Sequence, residues 1–297
     1  MESMTMLVKE LTIDIKKKKE LHSLDDDFVS ERINLFLKNN SKVYATLKKK
    51  DISKVKRSKE YTHIMKIIRK DLREAYGMFI LPSYDKKRVD GEMNNILATH
   101  QSSKERMHNY LDIYGRIWKS MDTKKTVQIL DLGCGMNPVS APIIIDMTKA
   151  NITYSAYDIS SQDMKFLNQY FKEHKIKGTA TALDLSKEEE FHKIKVSEKE
   201  YVVCFMFKLL DTLETIKRHT SKKLVAYMTT VADIIVVSFP KTGISGKKNI
   251  HTDRRSWFET FLHKESCKYE IFEVVNEIFY IIQTKKQSKR KIQKEKN

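Results

Sequence analysis

The stretch Gln128-Ile-Leu-Asp-Leu-Gly-Cys-Gly-Met-Asn-Pro-Val139 carries most of the architectural information in this chain. The apolar run from Val127 to Leu132 predicts a buried strand. Gly133 and Gly135 follow directly, and glycine permits both a positive φ and a close approach of a ligand to the backbone. A strand, a glycine turn and a helix together form the ligand-binding end of a doubly wound α/β sheet. We therefore predict an α/β fold with its ligand beyond Leu132.

The spacing of the glycines indicates the kind of ligand. Asp131, Gly133 and Gly135 form an Asp-x-Gly-x-Gly pattern, without the third glycine of the pyrophosphate-binding pattern. This spacing favours S-adenosylmethionine, with Asp131 near the amino end of its methionine portion. The ligand released after reaction is then S-adenosyl-L-homocysteine.

Two further acids follow predicted strands. The run Ile152–Tyr157 ends in Asp158, which is placed to bond the ribose hydroxyls of a nucleoside. Alternatively, Asp158 caps the helix that starts near Ser160. The next strand, predicted over Gly178–Asp184, brings Asp184 beside the adenine, with Leu185 packing on the ring.

Positive charge is concentrated at the two ends of the chain. The 297 residues carry a net charge of +17, with 26 Lys+Arg against 18 Asp+Glu in residues 1–122. Residues 123–283 are nearly balanced at 23 against 20, and residues 284–297 hold 7 against 1. Such asymmetry favours binding to phosphate backbones. The alternative is that lysine runs such as Lys16–Lys19 are merely solvated helix faces.

The cysteines and the apolar stretches of the sequence indicate the cellular compartment of the protein. Cys134, Cys204 and Cys267 have no metal-ligand spacing, so we predict no metal site and a reducing compartment. Neither a signal peptide nor an apolar stretch of eighteen residues is present, which predicts a cytoplasmic protein without membrane contact. A monomer is the default expectation.

Periodicity divides the chain into three parts. Apolar spacing predicts a basic helical RNA-binding domain over residues 1–122, a catalytic domain over 123–283 and a disordered basic tail over 284–297. The predicted helices are Leu21–Phe36, Tyr61–Tyr76 and Met93–Trp118, with a loop at Pro82–Gly91. The later strands are Glu200–Phe207, Asp233–Pro240, Glu270–Asn276 and Ile278–Gln283, the last two forming an antiparallel hairpin.

Several local patterns together resemble one family, the aminoglycoside-resistance 16S ribosomal RNA (guanine-N7) methyltransferases. They are His100-Gln-Ser-Ser-Lys-Glu-Arg106, Ile129-Leu-Asp-Leu-Gly-Cys-Gly-Met-Asn-Pro138, Phe205-Met-Phe-Lys-Leu-Leu210, Val237-Ser-Phe-Pro-Lys-Thr-Gly-Ile-Ser-Gly-Lys247 and Trp257-Phe-Glu-Thr-Phe261. The resemblance implies a class I methyltransferase with a seven-stranded, Rossmann-like sheet. It also implies methylation of N7 of a guanine in 16S rRNA of the small subunit, at the decoding site in helix 44, and aminoglycoside resistance in relatives.

The resemblance also implies roles for individual residues. Arg106 would bind the carboxylate of S-adenosylmethionine, for which a guanidinium is well suited. Lys208 stands at the end of the fourth strand, where many nitrogen methyltransferases carry Asn/Asp-Pro-Pro-Tyr, so chemistry of that type on an exocyclic amine is disfavoured. The Leu-Leu-Asp that follows Lys208 replaces a sequence that often has a proline in relatives.

The target base and its RNA need a second set of residues. Guanine N7 carries a lone pair and no proton, so no general base is assigned. Ser238, Phe239, Pro240 and Trp257 are the candidates for positioning a flipped base. Trp257 could equally be an ordinary core residue. Candidates for binding phosphates are Lys241, Lys247, Lys248, Arg254 and Arg255.

Three other functions remain open from the sequence. The enzyme could methylate another position, such as adenine N1 of the same RNA, or a tRNA. It could be a catalytically idle fold that binds ribosomal RNA, although Asp131, Gly133, Gly135, Asp158 and Arg106 are intact. A small-molecule methyltransferase would leave the basic flanks unexplained.

Overall fold

The computed structural model describes residues 2–48, 52–84, 91–121, 126–241, 255–274 and 276–287. Its helices are α1 (Glu2–Lys16), α2 (Asp26–Asn39), α3 (Ser41–Lys48), α4 (Ile52–Val55), α5 (Lys59–Ala75), α6 (Met93–Leu97), α7 (Gln101–Arg106), α8 (Tyr110–Lys119), α9 (Ala141–Thr148), α10 (Ser161–Glu173), α11 (Leu210–Ile216), α12 (Thr220–Val231) and α13 (Ser256–Lys264). Short 3-10 turns lie at Lys19–Leu21, Gly77–Phe79, Asn137–Ser140 and Glu188–Lys193.

One seven-stranded sheet organises the fold. Its strands are β1 (Thr126–Leu132), β2 (Asn151–Asp158), β3 (Gly178–Ala182), β4 (Tyr201–Phe207), β5 (Ile234–Pro240), β6 (Lys268–Val274) and β7 (Glu277–Gln283). They lie in the order β3-β2-β1-β4-β5-β7-β6. Strands β1 to β5 are parallel, whereas β7 is antiparallel to both β5 and β6. The predicted α/β fold with seven strands and a closing antiparallel hairpin is confirmed.

The burial of the strands explains why they can be recognised in the sequence. Every residue of β4 is buried, because helices cover both faces of a parallel sheet, and the strand is a continuous apolar run. The edge strand β6 instead has only exposed and half-buried residues. The order changes direction between β1 and β4, so the carboxyl ends of these two strands open a crevice.

The region predicted as one helix, Met93–Trp118, contains three helices. The hydroxyl of Thr99 donates to the Ile96 carbonyl at 2.6 Å, and that of Ser103 donates to the Leu97 carbonyl at 2.6 Å. Side chains thus take up carbonyls that a continuous helix would use, and α6 ends at Leu97. The single-helix prediction was wrong, because periodicity cannot reveal such competing bonds.

Helices α1 to α5 and the turn Gly77–Phe79 form what we call the helical module. Their buried side chains, from Leu7 to Tyr76, make a hydrophobic cluster of their own. The side chains of α6 and α8 instead share a cluster with the sheet. The packing therefore favours a limit between the domains before α6 rather than at residue 122.

The other predicted limits were approximate. The helix predicted at Leu21–Phe36 begins only at Asp26, and Asp25 occupies its N-terminal cap position. The first residues of the predicted tail are not disordered: Thr284 and Gln287 are buried, and the Lys286 ammonium donates to the Val231 carbonyl at 2.6 Å. Residues 288–297 lie outside the described residues. Among the helices described, none is both long and apolar enough to cross a membrane.

Candidate cofactor and active site

A cavity of about 890 Å³ lies at the carboxyl ends of β1, β2 and β4. The glycine turn after β1 forms one side, Asp158 and Ile159 after β2 another, and Lys208 and Leu209 after β4 a third. Arg106, at the end of α7, also lines it. The fold thus brings together residues that are widely separated in the sequence.

Arg106 is the most unusual group in this cavity. Its side chain is 3% exposed, and its guanidinium lies 4.9 Å from the centre of the Phe207 ring. Within the described part of the chain, neither Nε nor Nη1 has a hydrogen-bond partner. A buried cation with free donors is costly unless a ligand satisfies it, and a carboxylate matches a guanidinium in charge and geometry.

Glu277, at the start of β7, lies between two cations. Its carboxylate is 3.7 Å from Arg106 Nη1 and 3.6 Å from the Lys208 ammonium. The Ser238 hydroxyl donates to the same carboxylate. Burial lowers the pKa of Arg106, but the charges of Glu277, Tyr110, Tyr114 and Asp131 together outweigh burial and the net shift of the pKa is upward. Glu277 is the largest of these contributions and so helps to keep Arg106 charged.

Lys208 is held in place at both its backbone and its ammonium. The residue has a φ of 56°, and its N–H donates to both the carbonyl and the hydroxyl oxygen of Ser238 at 3.1 Å. The ammonium pairs with Glu105 at 2.5 Å. Its position at the cavity is thus built by contacts from β5 and α7.

The glycine turn adopts the predicted conformation. Gly133 has a φ of +64° and Gly135 of +49°, a region that side chains disfavour. A Cβ at Gly133 would lie 2.5 Å from Leu209 Cδ1. The Gly133 N–H donates to the Tyr157 carbonyl at 2.8 Å, which ties β1 to β2. The turn therefore needs glycine at this position for both space and backbone conformation.

We expect Gly133→Ala to lower the free energy of unfolding by about 1–3 kcal/mol, from the left-handed φ and the contact with Leu209. Gly91→Ala separates the two causes, since Gly91 has a φ of +69° but nothing lies within 4 Å of the point that its Cβ would occupy. Gly115→Ala lies in α8 with open space and should be neutral or stabilising. Urea unfolding of the three variants measures the effects. Equal losses at Gly133 and Gly115 would contradict the expectation.

Asp131 lies behind the cavity rather than on its wall. The carboxylate is 1% exposed and accepts hydrogen bonds from Asn137 at 2.8 Å and from the Tyr154 hydroxyl at 2.7 Å. It is not among the residues that line the cavity. Its contact with the methionine portion of the cofactor stays a prediction. The observed bonds show that Asp131 braces the 3-10 turn at Asn137.

Burial raises the pKa of Asp131 from 3.8 to about 6. The folded protein therefore retains this proton to a higher pH than the unfolded chain, and its stability falls as the pH rises from about 4 to about 6. We expect Asp131→Asn to keep both hydrogen bonds and to add about 2–3 kcal/mol at pH 7.5 but nothing at pH 4. Urea unfolding at the two pH values measures this. Asp146→Asn, at an exposed residue, is the control; parallel behaviour of Asp131→Asn and this control would refute the assignment.

Asp158 closes the turn from the side of β2. One carboxylate oxygen accepts from the Gly135 N–H at 2.7 Å and the other from the Ile159 N–H at 2.6 Å. Burial raises the pKa of Asp158 to about 6. The cap of α10 is Ser160, whose hydroxyl accepts from the Asp163 N–H at 3.2 Å, so the alternative role of Asp158 as that cap was wrong.

Asp184 and Leu185 line the same cavity beyond β3. One oxygen of Asp184 accepts from the Ser186 N–H at 2.9 Å and from the Ser186 hydroxyl at 2.6 Å. Leu185 is 5% exposed and belongs to the cluster beneath the sheet. The structure therefore brings the two predicted adenine-binding residues to one end of the cavity.

Two of the residues predicted to position the target base are buried. Ser238 is fully buried and bonded to Glu277 and Lys208. Phe239 is 2% exposed, with Phe258 at 5.2 Å and Tyr280 at 5.9 Å between ring centres, both in T-shaped contact. The base-positioning roles of Ser238 and Phe239 stay predictions, and in this conformation both side chains pack inside the protein.

Trp257 and Pro240 are half-buried. The indole of Trp257 packs against the sheet cluster, with its ring centre 5.5 Å from that of Phe258 and the Lys222 ammonium 5.6 Å away. The core role that we left open for Trp257 matches this packing. The Pro240 carbonyl is occupied by Arg255, whose Nη2 donates to it at 2.9 Å.

The predicted phosphate-binding residues divide into three groups. Arg255 is 5% exposed and donates a hydrogen bond to the Pro240 carbonyl, and its role in binding phosphate stays a prediction. Lys241 is half-buried and pairs with Glu273. Lys247, Lys248 and Arg254 lie outside the described residues.

Sequence reasoning missed Glu277 and Glu105. Glu277 heads a strand of apolar residues, which is an unusual place for a buried charge and could have raised suspicion. Only the register, which pairs Pro240 with Glu277, brings it beside Ser238 and the two cations. Glu105 is one residue before Arg106, and its link to Lys208 spans 103 residues.

Comparison with known proteins tests the whole arrangement. A family model described as ribosomal RNA methyltransferase (FmrO) matches residues 65–281, which include nearly the whole sheet but only the last part of the helical module. The chain belongs to this family. It is therefore a ribosomal RNA methyltransferase, and S-adenosylmethionine is its methyl donor. The orphaned Arg106 donors and the glycine turn fit that donor, since they provide a carboxylate partner and an unobstructed backbone.

Curated relatives carry a more specific name. A protein of Micromonospora echinospora is 24% identical over 239 residues, which cover 74% of this chain and 82% of the relative. One of Frankia casuarinae is 25% identical over 244 residues, covering 73% and 79%. Both are named 16S rRNA (guanine(1405)-N(7))-methyltransferase.

Solved structures share the fold. The 16S rRNA methylase RmtB matches with a TM-score of 0.63 at 18% identity, covering 93% of this chain and 98% of that one. The 16S rRNA methylase ArmA matches with a TM-score of 0.51 at 25% identity, covering 68% and 98%. The RmtB match therefore covers more of this chain than the ArmA match does. Resemblance to this group of methyltransferases, expected from the sequence motifs, is confirmed.

Proposed function

We propose that the protein methylates N7 of a guanine in 16S rRNA, at the decoding site in helix 44 of the small subunit. The names of the curated relatives support this target, and their similarity covers about three quarters of the chain. The sequence motifs shared with the guanine-N7 enzymes lie on α7, β1, β4, β5 and α13, and those on α7, β1 and β4 contribute residues to the cavity. In relatives, modification of this kind confers aminoglycoside resistance, and we propose the same consequence here.

The observation that carries the proposal is the anchored lysine at the end of β4. Lys208 presents a cation, and its backbone and ammonium are held by Ser238 and Glu105. Many methyltransferases that act on an exocyclic amine carry Asn/Asp-Pro-Pro-Tyr at this position, whereas this chain has Lys208-Leu-Leu. Guanine N7 is itself an acceptor without a proton, so a cationic neighbour is compatible with it.

The cofactor would be held by four parts of the cavity. Arg106 would bind the carboxylate of the methionine portion, and Gly133 and Gly135 would pass beneath it. Asp158 would bond the ribose hydroxyls by exchanging one of its backbone bonds. Asp184 and Leu185 would flank the adenine. We propose these roles from burial, position on the cavity and the free donors of Arg106.

S-adenosylmethionine supplies a methyl group on a positively charged sulfur. The chain contributes position: a cavity wall of fixed backbone and a cation network that orients Arg106 and Lys208 through Glu277. Proximity and orientation can account for much of such a transfer, and no side chain has to remove a proton from N7. We therefore assign no general base.

The RNA would be bound outside this cavity. A guanine within helical RNA must leave the stack before it can reach the cofactor. We propose that the helical module and lysines near the surface such as Lys241 bind the phosphates of the folded RNA and recognise its shape, since base edges in the deep groove of RNA are poorly accessible. Residues 1–122 carry 26 Lys+Arg, consistent with that role.

The test is transfer of tritiated methyl groups to 30S subunits, naked 16S rRNA and tRNA. Borohydride–aniline treatment cleaves RNA at N7-methylguanosine, and the proposal expects one cleavage, at a decoding-site guanine. Label at another nucleotide, such as adenine N1, would keep the enzyme class and overturn the target. Label on tRNA alone would overturn the 16S assignment. Cofactor binding without label on any RNA would point to an idle binding module.

A further inference from the structure

The cofactor cavity has a wall that comes from outside the methyltransferase sheet. Phe28 of α2, Ala75 and Tyr76 at the end of α5, and Phe79 of the following turn all line it. They face Asp158, Leu183 and Leu185 on the sheet side of the same cavity. The helical module, to which RNA binding is assigned, therefore also forms part of the site for the small ligand.

A buried carboxylate latches this wall to the catalytic domain. Asp163 of α10 is 1% exposed and accepts hydrogen bonds from the hydroxyls of Tyr76, at 2.6 Å, and of Tyr84. The Tyr76 hydroxyl uses its only proton in the bond to Asp163. It must therefore accept in its second hydrogen bond, in which the Ser23 hydroxyl is the donor at 2.9 Å. The Ser160 hydroxyl in turn donates to the Ser23 carbonyl at 3.1 Å. Two tyrosines separated from Asp163 by 87 and 79 residues thus converge on one acceptor.

A second contact reaches the far end of the cavity. Arg32 of α2 donates to the Ser186 hydroxyl at 3.2 Å, and that hydroxyl donates to Asp184 at 2.6 Å. The Arg32 guanidinium also lies 5.0 Å from the ring centre of Phe28 on the cavity wall. Helix α2 therefore touches both the aromatic wall and the residue proposed to bind adenine.

We propose that the helical module is a structural part of the cofactor site, and that the Tyr76–Asp163–Tyr84 hydrogen bonds keep it closed around S-adenosylmethionine. Tyr76, Tyr84 and Asp163 are positioning residues: they act through the wall formed by Phe28, Tyr76 and Phe79. By linkage, a bound cofactor must stabilise the docked module by the same free energy with which the docked module favours the cofactor. The proposal rests on the assigned cofactor but not on the identity of the target base.

The double variant Tyr76→Phe/Tyr84→Phe tests the latch. It removes both hydroxyls and keeps both rings, so the shape of the wall is unchanged. We expect the dissociation constant for S-adenosylhomocysteine, measured by titration calorimetry on the full chain, to rise about tenfold or more, as expected for losing bonds to a charged acceptor. Saturating S-adenosylhomocysteine should slow amide hydrogen exchange in α5 and the Gly77–Phe79 turn of the wild-type protein, and should do so less in the variant.

Tyr61→Phe is the matched control, because its hydroxyl donates to Asp14 at 2.7 Å inside the helical module, remote from the cavity. It should change the dissociation constant less than about twofold. Phe79→Ala tests the wall directly, because Phe79 lines the cavity and Phe36 of the same module does not. Phe79→Ala should weaken S-adenosylhomocysteine binding more than Phe36→Ala does, and this comparison replaces the double variant if that variant does not fold. Unchanged binding by folded latch and wall variants would overturn the proposal. A wild-type protein that does not bind S-adenosylhomocysteine would instead overturn the cofactor assignment on which it rests.

Discussion

Replacing Arg106 with methionine is expected to raise the dissociation constant for S-adenosylhomocysteine by about 30-fold or more. The guanidinium is buried, with Nε and Nη1 lacking a partner within the residues described, so a ligand carboxylate would gain a charge-assisted, desolvated pair. Removing one member of such a pair costs about 2–5 kcal/mol, and each 1.4 kcal/mol is about tenfold in affinity. Titration calorimetry measures the change without using activity.

Adenosine separates a specific role of Arg106 from general damage to the cavity, since it has no carboxylate. Its affinity should change little in Arg106→Met, and Arg116→Met serves as a control because Arg116 is half-exposed and pairs with Asp112 on the surface. Equal losses for adenosine and S-adenosylhomocysteine would show that the substitution disrupts the cavity and would sink the carboxylate assignment.

Replacing Glu277 with glutamine should have the largest effect on stability. The change keeps the shape and an acceptor for Ser238, but it leaves Arg106 and Lys208 without the carboxylate that lies 3.7 and 3.6 Å away. Breaking a buried pair from one side costs about 3–5 kcal/mol, because an uncompensated charge remains. We expect a loss of that order in the free energy of unfolding in urea.

Glu273→Gln is the matched control for this variant. Glu273 lies on β6 of the same hairpin, but its side chain is 52% exposed and pairs with Lys241 at the surface. Its replacement should cost less than about 0.5 kcal/mol. Adding Arg106→Met to Glu277→Gln should recover part of the loss, because Arg106 loses its ion-pair partner in Glu277→Gln whereas Lys208 keeps Glu105. A double variant less stable than the sum of its parts would argue against the charge explanation.

The strands were predictable because a strand that is buried on both faces consists almost entirely of apolar residues. Residues of β4 and β5 are almost all buried, so apolar runs mark them within two residues of their observed limits. The glycine turn was equally legible, since only glycine tolerates the positive φ and the closeness of Leu209 at Gly133. The division of Met93–Trp118 into three helices could not be predicted, because hydrogen bonds from side-chain hydroxyls to helix carbonyls do not change the spacing of the apolar residues.

Residue type alone did not show which of the candidate RNA-binding side chains are exposed. Arg255 and Phe239 have the chemistry that binds phosphate or stacks on a base, but the one braces Pro240 and the other packs among protein rings. The Ser238 hydroxyl likewise donates its hydrogen bond to Glu277. Exposure depends on what packs above a residue, and that neighbour comes from a distant part of the chain.

The sequence by itself determined the α/β sheet, the glycine turn and the family, since each depends on contiguous residues with a local physical cause. Tertiary structure alone decided which charges meet. Glu277 reaches Arg106 across 171 residues of chain, and Tyr76 and Tyr84 reach Asp163 across 87 and 79 residues. Ion pairs and hydrogen bonds act over a few ångströms, so their partners are set by strand register and domain docking rather than by local pattern.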